Sequence, residues 1–173
     1  MIGTVISNII RFIVLVLMQA MVIDHVDLAN GWVVPYLYVL FIILLPFDTP
    51  GWATLVLGFA LGMAMDFFSS TPGLHAAACT AMAFTRILML RVLTPREGYD
   101  PGKQPTVQHR GLAWFMTFAG TLVLVHHLVL FFLEVYRFTA FGSTLLRALM
   151  SVAATLVLCL LAQALTRREL RAR

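Results

Sequence analysis

Six stretches of this chain are long and apolar enough that a soluble core is a poor home for them. A helix rising about 1.5 Å per residue needs roughly 20 apolar residues to cross the hydrocarbon core of a bilayer. The runs fall at about 2–23, 33–47, 51–68, 74–93, 111–133 and 143–165. Lipid offers the backbone no hydrogen-bond partner, so each run is expected to be helical. The expected fold is therefore an all-α integral membrane protein. It has six transmembrane helices in a compact bundle, a single polytopic membrane domain over 1–173. Composition closes off the alternative. The chain is 61% hydrophobic and 12% charged, about half the charge of an ordinary soluble domain. Its longest polar stretch, 94–110, is too short to build a core of its own. The first run reads as a retained span. Asp24-His25-Val26-Asp27 follows it, where a signal peptide would show a shorter apolar core and a small-residue cleavage site.

The second run is the shortest. It begins near Pro35 and stops at Pro46, where Asp48-Thr49-Pro50-Gly51 reads as a tight turn into the third. Orientation follows from Lys and Arg. With a cytoplasmic N-terminus, the inner loops and tail hold Arg91, Arg96, Lys103, Arg110, Arg167, Arg168, Arg171 and Arg173. The outer loops hold Arg137, with Asp24, Asp27 and Glu134 at their margins. Both termini are accordingly expected inside, with 94–110 as an irregular cytoplasmic connector rich in Pro and Gly. The net charge of +4 is accounted for by this flanking pattern, and no recognition-helix or glycine-rich basic motif points to nucleic acid. Cys79 and Cys159 lie inside apolar runs without metal-ligand spacing, and read as small hydrophobes. No internal repeat of the inverted-repeat transporter kind is visible.

Gly58, Gly62 and Asp66 are spaced four apart, so they stack on one face of the third run. The glycines permit close helix approach, within the chain or to a partner. Asp66 is a candidate contact for a partner or ligand, or a cap on the polar loop Ser69-Ser70-Thr71. Depth favours Arg147 over Arg86 as its ion partner, because an offset of several residues is on the order of 10 Å. His126 and His127 sit deep in the fifth run, and His127 and Glu134 share a helical face. Two readings are open: a haem, metal or proton-relay site, or polar residues bonding between helices. His75 and His25 make no persuasive second haem ligand, and no cofactor or metal is expected. Trp32, Trp52 and Trp114 lie near span ends, where interfacial anchors belong. No P-loop, HExxH, GxSxG or paired intramembrane aspartates suggest an enzyme.

Four pieces together resemble the rod shape-determining MreD family, in its Bacteroidetes-like branch. They are Pro35-Tyr-Leu-Tyr-Val-Leu-Phe-Ile-Ile-Leu-Leu-Pro46; Gly58-Phe-Ala-Leu-Gly62 running into Asp66-Phe-Phe-Ser-Ser-Thr-Pro-Gly-Leu-His75; Phe84-Thr-Arg86 with Leu93-Thr-Pro-Arg-Glu-Gly-Tyr99; and His126-His127 leading to Phe131-Phe-Leu-Glu134. The resemblance implies a non-enzymatic protein of the bacterial inner membrane that binds MreC. Through MreC it would connect to MreB and to the elongation glycosyltransferase and transpeptidase pair. It also implies a fold similar to the S component of energy-coupling-factor transporters. The family brings no agreed ligand residues. Gly58, Gly62, Asp66, His75, Arg86, His127, Glu134 and Arg147 are therefore candidate helix-packing or partner-contact residues, with the Gly58–Gly62–Asp66 face as one groove for a partner's span.

Two other functions compete. A substrate-binding transport subunit would share the fold and enclose a pocket, for which Asp66, His75, Trp32 and Tyr36 lie near the outer face. A membrane enzyme or lipid-handling protein would use the His127–Glu134 face.

Overall fold

The structure, a computed structural model, describes residues 2–26, 28–135 and 141–171. These are mostly helical: α1 (Ile2–Met21), α2 (Leu40–Ile43), α3 (Gly51–Ser69), α4 (Leu74–Val92), α5 (Val107–Arg110), α6 (Leu112–Val135) and α7 (Phe141–Arg171). Two single 3₁₀ turns, Ile23–His25 and Leu37–Val39, complete the set. Among the described residues there is no strand, only an isolated bridge between Leu28 and Val33. Arg137 and Arg173, counted above for orientation, lie outside the described residues, as does Asp27.

Four stretches are long and apolar enough to cross a membrane: Val5–His25, Gly51–Ser69, Leu112–Val135 and Phe141–Leu165. Helix α4 matches α3 in length but is less apolar, since it carries His75, Thr80, Thr85, Arg86 and Arg91. Two of its polar side chains, His75 in the first turn and Arg86 further along, are buried.

The 33–47 run differs from the helix expected there. It is extended as far as Tyr36, makes one 3₁₀ turn, then a single α-turn, and leaves through Pro46. Proline explains both limits. Pro35 has no N–H to give and biases Val34 away from helix, and Pro46 cannot continue one. What lies between is the centre of the molecule, with Tyr38, Val39, Ile42 and Ile43 fully buried. Irregular backbone is tolerated at membrane depth only where protein surrounds it. Here α1, α3, α4 and α7 all contact it.

One end of the bundle gathers Asp24, Tyr36, the α3–α4 turn and Glu134 around a common cavity. The opposite end gathers the 46–49 turn and the 94–106 connector. The Phe47 N–H donates to Lys103 O at 2.9 Å, Gly102 N–H to Asp48 Oδ1 at 3.0 Å, and Phe47 stacks on Tyr99 with centroids 4.3 Å apart. The connector is thus folded onto the bundle. It ends in α5, whose Thr106 side chain accepts from His109 N–H.

Candidate functional site

A non-helical segment leaves backbone groups that no neighbouring turn can satisfy, and each such group in an apolar interior is destabilising. Polar side chains of the surrounding helices meet them one by one. Gln19 of α1 works at both of its atoms: Nε2 donates to Pro35 O at 3.1 Å and Oε1 accepts from Leu37 N–H at 2.7 Å. From α7, Ser151 Oγ accepts from Val34 N–H and Thr155 Oγ1 from Tyr36 N–H, each at 3.0 Å. At the far end, Arg11 donates to Leu44 O at 3.1 Å. Arg86, 1% exposed, donates to Leu45 O at 2.6 Å and Pro46 O at 3.0 Å. Arg86 was a candidate contact residue by sequence, and its place is in this clamp. Arg11, Gln19, Ser151 and Thr155 were not singled out. Their signal, polar residues on otherwise apolar helix faces, is visible only once the central segment is known to be irregular.

Asp66 closes α3 onto the start of α4. Its Oδ1 accepts from His75 N–H at 2.9 Å and faces His75 Nδ1 at 3.1 Å, and it also receives the Thr71 hydroxyl at 3.2 Å. Its Oδ2 accepts from the N–H groups of Gly73 and Ala76, both at 3.0 Å. These are the orphan donors that open any helix, and a carboxylate satisfies them well. Gly73 sits at φ +87°, a backbone region that glycine occupies freely. The expected pairing of Asp66 with Arg147 does not occur. Arg147 instead reaches Glu134 at 3.3 Å and lies over the Phe131 ring. Depth along a span was the wrong criterion, because His75 is already held beside Asp66 by the short α3–α4 turn.

The groove expected at Gly58 and Gly62 is filled by the chain's own α4. A Cβ on Gly58 would meet Ala83 Cβ at 2.8 Å and Cys79 O at 3.0 Å. One on Gly62 would overlap the backbone of His75 and Ala76. No partner span can lie on that face while α4 does.

His126 and His127 also turn inward. His126 Nε2 lies 2.8 Å from the Tyr38 hydroxyl. His127 Nδ1 donates to Val123 O at 2.8 Å, and its Nε2 lies 3.1 Å from Thr155 Oγ1. Both ring nitrogens of His127 are engaged, so it is a tie between α6 and α7, and Glu134 shares no site with it. Tyr36 is edged by the rings of His75, His126 and His127 at centroid distances of 5.8, 5.7 and 5.4 Å. Among the described residues no group of three or more His, Cys, Asp or Glu is placed to hold a metal.

Above this aromatic floor lies a cavity of about 530 Å³. Tyr36, His75, Leu130 and Phe68 line it, with Asp24 and Glu134 among its acidic groups. Of the residues expected to form an outer pocket, Tyr36 and His75 do so. Asp66 sits behind His75, and Trp32 is not among the described lining residues. No family model, curated protein or solved structure matches the chain.

Proposed function

We propose that this protein is a membrane scaffold of the bacterial cell-elongation machinery. In this reading it binds MreC, supports rod shape and lateral peptidoglycan synthesis through MreB and the glycosyltransferase–transpeptidase pair, and performs no chemistry itself. One observation carries the reading. The pieces behind the MreD resemblance are the parts that fix this bundle: the Pro35–Pro46 core segment, the Gly58–His75 seal between α3 and α4, and Arg86. The buried polar side chains direct their hydrogen bonds at the chain's own backbone and at one another, which suits a rigid docking platform more than a reaction centre.

The same reading takes α4 and the central segment as the two further crossings, six in all. The central segment supports this, since it runs from Gln19 and His75 at one level to Arg11 and Arg86 at the other. The end holding Arg91, Arg96 and Lys103 then faces the cytoplasm of the inner membrane, and the cavity faces outward. Affinity purification of the tagged protein from its own membranes is the test. MreC should follow it, with wall-synthesis enzymes. The alternative, a substrate-binding subunit of an energy-coupling-factor type transporter, draws support from the cavity. Recovery of paired ATPase subunits without wall proteins would put that reading first.

A further inference from the structure

The cavity at the His75 end carries a chemistry of its own, independent of the scaffold reading. Its described lining includes the carboxylates of Asp24 and Glu134 and contains no Lys or Arg. Glu134 is met by Arg147 from outside that lining. Asp24 has no cation among the described residues, and receives only the amide of Gln19 at 2.6 Å. At the base sits Tyr36, 8% exposed. Its N–H is taken by Thr155, yet its hydroxyl has no hydrogen-bond partner among the described residues. The charges of Glu134 and Asp24, and in the opposite sense that of Arg147, act on that hydroxyl. That hydroxyl is not sealed in the core but open to the cavity that Tyr36 lines, where a ligand can supply the partner a Tyr hydroxyl normally finds. His75 Nδ1 is turned to Asp66 and Thr71. The walls between these groups are aliphatic and aromatic, with Leu74, Leu130 and Phe68 among them.

We infer that this cavity binds a primary ammonium group on a short aliphatic body, with Asp24 as counter-ion and the Tyr36 hydroxyl as a hydrogen-bond acceptor. An anion would face two carboxylates there. A volume of about 530 Å³ suits a small organic ligand. The ammonium can come from a free amine or from the headgroup of an aminophospholipid at the membrane surface.

The test is the thermal unfolding midpoint of the whole purified protein. Putrescine is added in detergent, against sodium chloride at equal ionic strength. In a second arm, nanodiscs of phosphatidylethanolamine are compared with nanodiscs of phosphatidylglycerol. Well above its dissociation constant, a specific ligand raises the midpoint by roughly 5 °C in a chain of this size. Asp24→Asn should abolish the rise and Tyr36→Phe should shrink it. Asp24→Asn keeps an amide oxygen to accept from Gln19 Nε2, and the Tyr36 hydroxyl ties no other element among the described residues, so both variants should fold. A rise confined to putrescine identifies a free amine, and one confined to phosphatidylethanolamine identifies the lipid headgroup. The inference is overturned if neither exceeds its control, or if the rise persists in Asp24→Asn. MreC recovery is read separately, so failure here leaves the scaffold proposal to its own test.

Discussion

Arg86 shows how a membrane protein can keep a buried guanidinium without a carboxylate beside it. One terminal nitrogen, Nη2, donates to two consecutive carbonyls, Leu45 O and Pro46 O, where the central segment turns out of the core. Arg86→Met keeps the bulk and removes the donors. It should destabilise the fold by about 3 kcal/mol, read as a lower unfolding midpoint in an SDS titration. A midpoint within error of wild type would mean that water replaces the guanidinium there. Asp66 works in the opposite sense, as one acceptor for several donors. Asp66→Asn retains a single carbonyl oxygen and no charge, so a loss of about 1–2 kcal/mol is expected by the same titration. Asp66→Ala should lose more, because nothing then caps α4.

Helix pairs obey the glycines. A Cβ on Gly62 would overlap backbone, while one on Gly58 would meet the Ala83 methyl and the Cys79 carbonyl less closely. Gly62→Ala must therefore separate α3 from α4, while Gly58→Ala asks for a smaller adjustment. Unfolding midpoints of the two variants should fall in that order, with Gly62→Ala lower by about 1–3 kcal/mol in stability. Equal midpoints would show that the helices slide rather than part. Sequence spacing put Gly58, Gly62 and Asp66 on one face, and that face is real. What it meets was not legible, because a four-residue repeat does not say whether the neighbour is the same chain. Helices α1, α3, α6 and α7 were readable because an apolar run of that length has one outcome in lipid. The 33–47 run was not, because its apolar side chains look alike in a helix and in an irregular strand of chain packed on all sides. Only Pro35 and Pro46 hinted at the difference. The Tyr36–His75 cavity wall was half visible, and Asp24 joined it through a connection whose path the sequence does not fix.

For the molecule as a whole, the two ends differ in charge, and that asymmetry is testable without any partner. Cys79 and Cys159 are buried, so the native chain is a quiet background for thiol labelling. In intact cells a membrane-impermeant maleimide should label His25→Cys and leave Lys103→Cys unlabelled until the membrane is opened. The reverse pattern would turn the proposed orientation over. The clamp around the central segment has a consequence in time as well. Val34 and Tyr36 reach the side chains that accept from them, Ser151 and Thr155, across 117 and 119 positions of sequence. While the chain is being made, those two N–H groups emerge long before their acceptors exist. Lipid cannot supply a substitute. The early helices must therefore wait, with the segment still loosely held or shielded by the insertion machinery, until the last one is threaded in. Biogenesis would then have a final latch: a chain cut short before α7 would be membrane-bound yet unfinished, and a natural target for membrane proteases.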